Sequence, residues 1–252
     1  MLPGHRIVAY YGADATPSMG VLGSGPIQAV VRKLHAQAAA YEPFHEPVIP
    51  ALELITVTAQ RDPGAYGSYS MGESDSTVER YLHAARAMHG MLILDIQPGR
   101  AAFLPLVKKY ERFLREPDVG LALDSEWSMG ASEVPGEVIG GTDAATVNAV
   151  AAYLSAIVQK NRLGQKLLIV HQFTPDMIAQ RSSIRAWPGL ALVFHVDGFG
   201  DRANKLSKYA MLARNRGAAF LGIKLFYDQD IAMFSAREIM RLQPPPDLIT
   251  YQ

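Results

Sequence analysis

Short apolar runs recur along the chain, and most are followed by a stretch with helical spacing of its apolar positions. The pattern predicts a first strand at Arg6–Gly12 and a helix at Pro26–Tyr41, then a strand at Val48–Thr58 and a helix at Ser76–His89. Met91–Gln97 reads as a third strand with a helix at Ala101–Arg115, and Val119–Glu126 as a fourth with a helix at Asp143–Asn161. Lys166–Phe173 leads to a short helical piece around Pro175–Ser183, and Leu190–Asp197 to a helix at Lys205–Arg216. Ala219–Tyr227 precedes a helix at Ser235–Arg241, and Asp247–Gln252 reads as an eighth strand with no segment for an eighth helix after it.

Runs such as Met91-Leu-Ile-Leu and Leu167-Leu-Ile-Val are apolar on both faces, as parallel strands covered by helices must be. Pro26 can open its helix, Thr142-Asp143 can cap the next long one, and Gly164 and Gly217 can end theirs. Eight strands with helical segments between them in 252 residues suit an α/β fold of the (β/α)8 TIM-barrel type in one domain. An open doubly wound sheet competes, but no Gly-rich phosphate turn follows the first strand. Long loops follow strands two and four, at Gln60–Ser74 and Ser128–Gly141.

Composition narrows the function classes. Lys plus Arg and Asp plus Glu each number 24, so a nucleic-acid partner, which favours a basic excess, is not expected. No apolar segment approaches the roughly 20 residues that span a bilayer. Cysteine is absent, which removes disulfides, thiolate metal sites and a Cys nucleophile. The amino terminus carries no leader; the expected location is cytoplasmic, or the cell envelope if a leader has been removed. Oligomeric state is not legible.

Chemistry-bearing residues gather where the strands end, the face on which this barrel builds its sites. They are Glu53 on strand two, Asp95 and Gln97 on three, Asp124 and Glu126 on four, His171 and Gln172 on five, and His195 and Asp197 on six. Strand seven adds Lys224, Tyr227 and Asp228, strand eight Tyr251, and the first strand offers only Tyr10 and Tyr11. Alternation puts Asp95 on the face of Ile93 and Met91, and His195 and Asp197 on that of Val193. Buried charges without partners cost several kcal/mol, so a ligand site explains this crown better than stability does. Tyr66, Tyr69 and Trp127 in the long loops are candidate faces for a sugar ring.

The run Leu121-Ala-Leu-Asp124-Ser-Glu126-Trp127 is the sharpest motif. As a strand it places Asp124 and Glu126 on one face, where two anions repel and one pKa rises. Glycoside cleavage uses such a pair, one carboxyl protonated and one ionised. The expected roles are Glu126 as general acid, with Asp124 or Asp95 as nucleophile, base or electrostatic stabiliser. The substrate-contacting set is Glu53, Gln97, Trp127, His171, Gln172, His195, Asp197, Lys224, Tyr227, Asp228, Tyr251, Tyr66 and Tyr69, with no cofactor and a carbohydrate as partner.

Asp124-Ser-Glu126-Trp127 resembles the Asp-x-Glu strand end of family 25 lysozymes and the last part of the family 18 chitinase motif. Lys224-Leu-Phe-Tyr227-Asp228 is faintly similar to the chitinases' Tyr-Asp pair, on a different strand. The resemblance implies Glu126 as proton donor, with Asp124 steering its protonation. It departs from both families: Ala122 replaces the earlier Asp of the chitinase run, and the first strand lacks the lysozymes' Asp. The chain also resembles barrel proteins of actinobacterial cell envelopes, often exported as lipoproteins.

Three other readings stay open. His171, His195, Asp197, Asp95 and Glu53 are suitable ligands for a divalent cation in a metal-dependent barrel hydrolase or lyase, although no His-x-His follows the first strand. Lys224 amid apolar neighbours could be a Schiff-base nucleophile. A barrel that binds glycans without turning them over is the third.

Overall fold

In a computed structural model describing residues 1–252, eight parallel strands close on themselves. They are β1 (Arg6–Gly12), β2 (Val48–Ala59), β3 (Met91–Ile96), β4 (Val119–Leu123), β5 (Lys166–Gln172), β6 (Leu190–Val196), β7 (Phe220–Leu225) and β8 (Leu248–Tyr251). Each pairs in parallel with the next, and β1 pairs with both β2 and β8, which closes the barrel, while a short strand at Ser70–Gly72 pairs antiparallel with the end of β2. The fold is the (β/α)8 barrel that the alternation of elements predicts.

Helices cover the outside: α1 (Ile27–Ala39), α2 (Asp75–Ala87), α3 (Phe103–Lys109), α4 (Glu111–Leu114), α5 (Ala144–Asn161), α6 (Arg202–Ala213) and α7 (Ala236–Ile239). No helix is long and apolar enough to cross a membrane. The helix expected over 101–115 is two. At the break Tyr110 donates its hydroxyl to the Thr56 and Glu73 carbonyls, tying this point to β2 and its loop. The fifth unit has only a short bridge at Ile178–Ala179 and a single tight turn at Arg181–Ser183. Asp143 caps α5 as expected, its side chain accepting from the Thr146 amide at 2.7 Å. Gly164 does not end α5; Arg162 takes the left-handed cap, with φ of 54°.

Alternation explains the division of residues. Outward side chains such as Leu52, Leu94, Leu121, Leu168 and Val170 pack with the helices in the larger core. Inward ones, among them Ile7, Ala9, Ala51, Met91, Ile93, Ala122, Leu167, Ile169 and Val193, fill the start of the barrel as a separate apolar cluster. Each fully buried large apolar side chain here stabilises by about 1.5–3 kcal/mol. The next inward position on nearly every strand is polar, so the interior changes character abruptly towards the strands' carboxyl ends.

Candidate functional site

The register builds the polar half. Tyr11 on β1 lies beside Glu53 on β2, Ile55 beside Asp95 on β3, His171 on β5 beside His195 on β6, and Lys224 on β7 beside Thr250 on β8. Glu53, Asp95, Asp124 and His195 are completely buried, and Gln97, His171, Asp197 and Lys224 nearly so. These side chains come together inside the barrel.

The hydrogen bonds run as one chain. His195 Nε2 sits 2.7 Å from Thr250 Oγ1, and Thr250 donates to Glu53 Oε2 at 3.0 Å. Glu53 Oε1 faces His171 Nε2 at 3.0 Å, and His171 Nδ1 faces Asp197 Oδ2 at 3.0 Å. Asp197 also takes the Lys224 ammonium at 3.2 Å. Nearby, Tyr11 donates its hydroxyl to Asp124 Oδ2 at 3.1 Å, and Gln97 Nε2 donates to the Tyr11 hydroxyl at 3.0 Å.

Charge follows from these contacts. Burial works against a charged His171, but carboxylates at both ring nitrogens hold its pKa well above the ordinary value. His195 goes the other way, to about 3, through burial and the charge of His171. Burial would raise Asp197, yet Lys224 and His171 hold it far below the usual range. Asp95 is pushed well up by burial and by Asp124, and burial raises Asp124 as well. Lys224 stays protonated: burial would lower it, but Asp197, Asp124 and Glu53 raise it, and its ammonium lies 3.5 Å from the centre of the Tyr11 ring. A protonated amine is not a nucleophile, so this ion pair weighs against the Schiff-base reading.

Glu126 is placed differently from its expectation. β4 ends at Leu123, and Ser125–Trp127 forms a tight turn, so strand alternation does not relate Asp124 to Glu126. The Asp124 amide still donates to the Ile96 carbonyl at 3.1 Å, while the Gly140 amide donates to the Glu126 carbonyl at 2.7 Å. A Cβ at Gly140 would stand 2.7 Å from that same carbonyl oxygen. Glu126 is only partly buried, and its pKa is pushed up to about 8 by burial, then by Asp124 and Asp197. With Trp127, Gly136, Glu137, Val138 and Ile139 it lines a cleft of about 240 Å3.

Other nominated residues fall outside this cluster. Tyr251 points outward from β8 and hydrogen-bonds Tyr41, just past the end of α1, at 2.7 Å, because Thr250 takes the inward position. Tyr227 stacks on Tyr251 with ring centroids 5.4 Å apart, and Asp228 is exposed beside it. Tyr66 is 96% exposed and packs on nothing, whereas Tyr69 lies under the Arg100 guanidinium at 3.9 Å. Gln172 is buried and turned to its own loop, donating to the Thr174 carbonyl at 3.0 Å. Of the expected cation ligands, Glu53, Asp95 and His171 offer donor atoms within 4.8 Å of one another; His195 and Asp197 are not in that group.

Sequence reading named Tyr11 on the first strand but left it out of the substrate-contacting set, and passed over Thr250 and Glu137. Tyr11 alternates with Ala9 and Ile7, and Thr250 is the lone polar residue of Leu248-Ile-Thr-Tyr, so both carried a signal. Glu137, ion-paired to Arg61 at 2.9 Å, carried none.

Neither a protein family nor a curated protein matches the sequence. Solved structures similar to the chain include tryptophan synthase from M. tuberculosis, at 12% identity over 98% of this chain and 82% of that one, with a TM-score of 0.47. A GH18 chitinase from Pseudoalteromonas aurantia is 9% identical over 98% and 93%, with a TM-score of 0.44. The endoglucanase Cel6 from M. tuberculosis is 12% identical over 86% and 61%, with a TM-score of 0.29. Likenesses this distant assign no activity.

Proposed function

We propose that the chain is a single barrel domain with glycoside hydrolase-like activity on an oligo- or polysaccharide. Glu126 is the general acid. The observation that supports this role above others is that Glu126 combines access to a cleft with a pKa raised to about 8. A carboxyl that keeps its proton at neutral pH can deliver it to a glycosidic oxygen. Trp127 in the same cleft offers a flat apolar face for a sugar ring. Asp124 lies below, its Oδ2 receiving the Tyr11 hydroxyl, and supplies negative charge against the oxocarbenium-like transition state. Asp197 adds to the proton affinity of Glu126 through its negative charge.

The test is release of reducing ends from a panel of polysaccharides and aryl glycosides, by wild type and by Glu126→Gln. Hydrolysis by wild type that falls about 100-fold or more in the variant is the expected result, the scale of a lost general acid. Equal rates in both proteins would remove the assignment. The burial of Asp95 and Asp124 favours one competing reading, a barrel that binds glycans without cleaving them. Saturable oligosaccharide binding with no product on long incubation would select that reading.

A further inference from the structure

Asp95 is the least explained residue of the core. It is completely buried, and neither of its carboxyl oxygens has a hydrogen-bond partner. Native proteins rarely leave one buried oxygen bare, and two on a single carboxyl call for a missing partner. Asp95 Oδ2 lies 3.5 Å from His171 Nε2, which is itself 3.0 Å from Glu53 Oε1. One oxygen of each acid and the ring nitrogen therefore converge, all within 4.8 Å of one another.

The surroundings have the form that a cation site takes. The other nitrogen of His171 is held by Asp197 at 3.0 Å, the carboxylate–imidazole arrangement that orients a metal-bound histidine. Asp197 is fixed in turn by Lys224 and by the Gly198 amide at 2.7 Å. The second oxygen of Glu53 is taken by Thr250, which leaves Oε1 for the converging point. Glu53, Asp95, Asp124 and Asp197 are all buried, and the cationic side chains buried with them are Lys224 and His171.

We propose that Glu53, Asp95 and His171 bind a divalent first-row transition ion of the Mn2+ to Zn2+ type. An imidazole with two carboxylates suits that class better than Ca2+ or Mg2+, which prefer oxygen alone. A cation there replaces the proton on His171 Nε2 and gives Asp95 its partner. Because its three ligands are sealed from solvent, it acts as a structural and electrostatic centre beneath the cleft. The proposal does not rest on the glycosidase reading.

The test uses the full chain, stripped with a chelator and titrated calorimetrically with MnCl2 and with ZnCl2, with bound metal counted by mass spectrometry after desalting. Wild type is expected to take up about one equivalent and to melt at a higher temperature with the ion bound. Asp95→Asn should lose tight binding, and Asp197→Asn should weaken it by about 10–100-fold through the freed imidazole. Glu126→Gln should keep the full equivalent, which separates the metal from any activity. If Asp95→Asn does not fold, wild-type stoichiometry and Asp197→Asn decide the question. No uptake of either ion by folded wild type at millimolar concentration would overturn the proposal. So would unchanged affinity in Asp197→Asn, which would place the bound ion elsewhere.

Discussion

The imidazoles of His171 and His195 lie face to face, with ring centroids 4.9 Å apart and planes 5° from parallel, yet their proton affinities diverge. His171 is flanked by Glu53 and Asp197, whereas His195 reaches only the Thr250 hydroxyl and leaves Nδ1 bare. Thr250 spends its one proton on Glu53, so it accepts from His195, which fixes the Nε2–H tautomer of a neutral ring. A charged imidazole can stack on another in a dry core only if the second stays neutral.

Thr250 is therefore the joint of the network. Thr250→Val keeps the shape but strands the His195 N–H and one Glu53 oxygen. The expected cost is about 1–3 kcal/mol, the penalty of an unsatisfied buried group. Urea unfolding at neutral pH measures it, and a variant as stable as wild type would contradict the hydrogen-bond order given above.

Gly222 makes room for that stack. A Cβ there would meet the Cδ2 and Cγ atoms of His195 at 3.2 Å and the Cβ of Leu248 at 3.3 Å. Gly222→Ala is expected to displace the ring and to cost about 1–3 kcal/mol, as overpacking in a filled core does. The His195 imidazole NMR signals report the displacement. Unmoved signals with unchanged stability would show that the barrel has spare space here.

Glu126 makes stability depend on pH in a definite direction. Its folded pKa of about 8 exceeds the ordinary 4.5, so between these values the folded state binds more proton than the unfolded chain. Stability from this group is full below about pH 4.5 and is lost as pH rises through about 8. Glu126→Gln, permanently neutral, should gain stability relative to wild type between pH 5 and 8. Parallel stability curves for the two proteins over that range would contradict the raised pKa.

Much of this was readable in the sequence, and the misses have physical causes. Strand alternation correctly sends Glu53, Asp95, His171, His195 and Lys224 inward, because a register error would expose the apolar partners of each. The same rule, applied to Leu248-Ile-Thr-Tyr, argues for Thr250 inward and Tyr251 outward; polar crown logic favoured the tyrosine wrongly. For Glu126 alternation fails, since β4 ends one residue before Asp124 and the backbone turns. Its raised pKa survives because it depends on burial and nearby charge rather than on a shared strand face. Pairings such as Asp197 with His171 and Lys224 join three strands and leave no mark in spacing. Residue type alone likewise puts His195 and Asp197 among the cation ligands, and only the folded barrel separates them from Glu53, Asp95 and His171.

The most direct measurement is a carboxyl titration by NMR or difference infrared spectroscopy on protein labelled with 13C at the Glu side chains, comparing wild type with Glu126→Gln. A resonance titrating near pH 8 in wild type and missing from the variant is the predicted result. A Glu126 signal titrating near 4.5 would mean that the acid at the cleft is an ordinary surface carboxylate, with no proton to give at neutral pH.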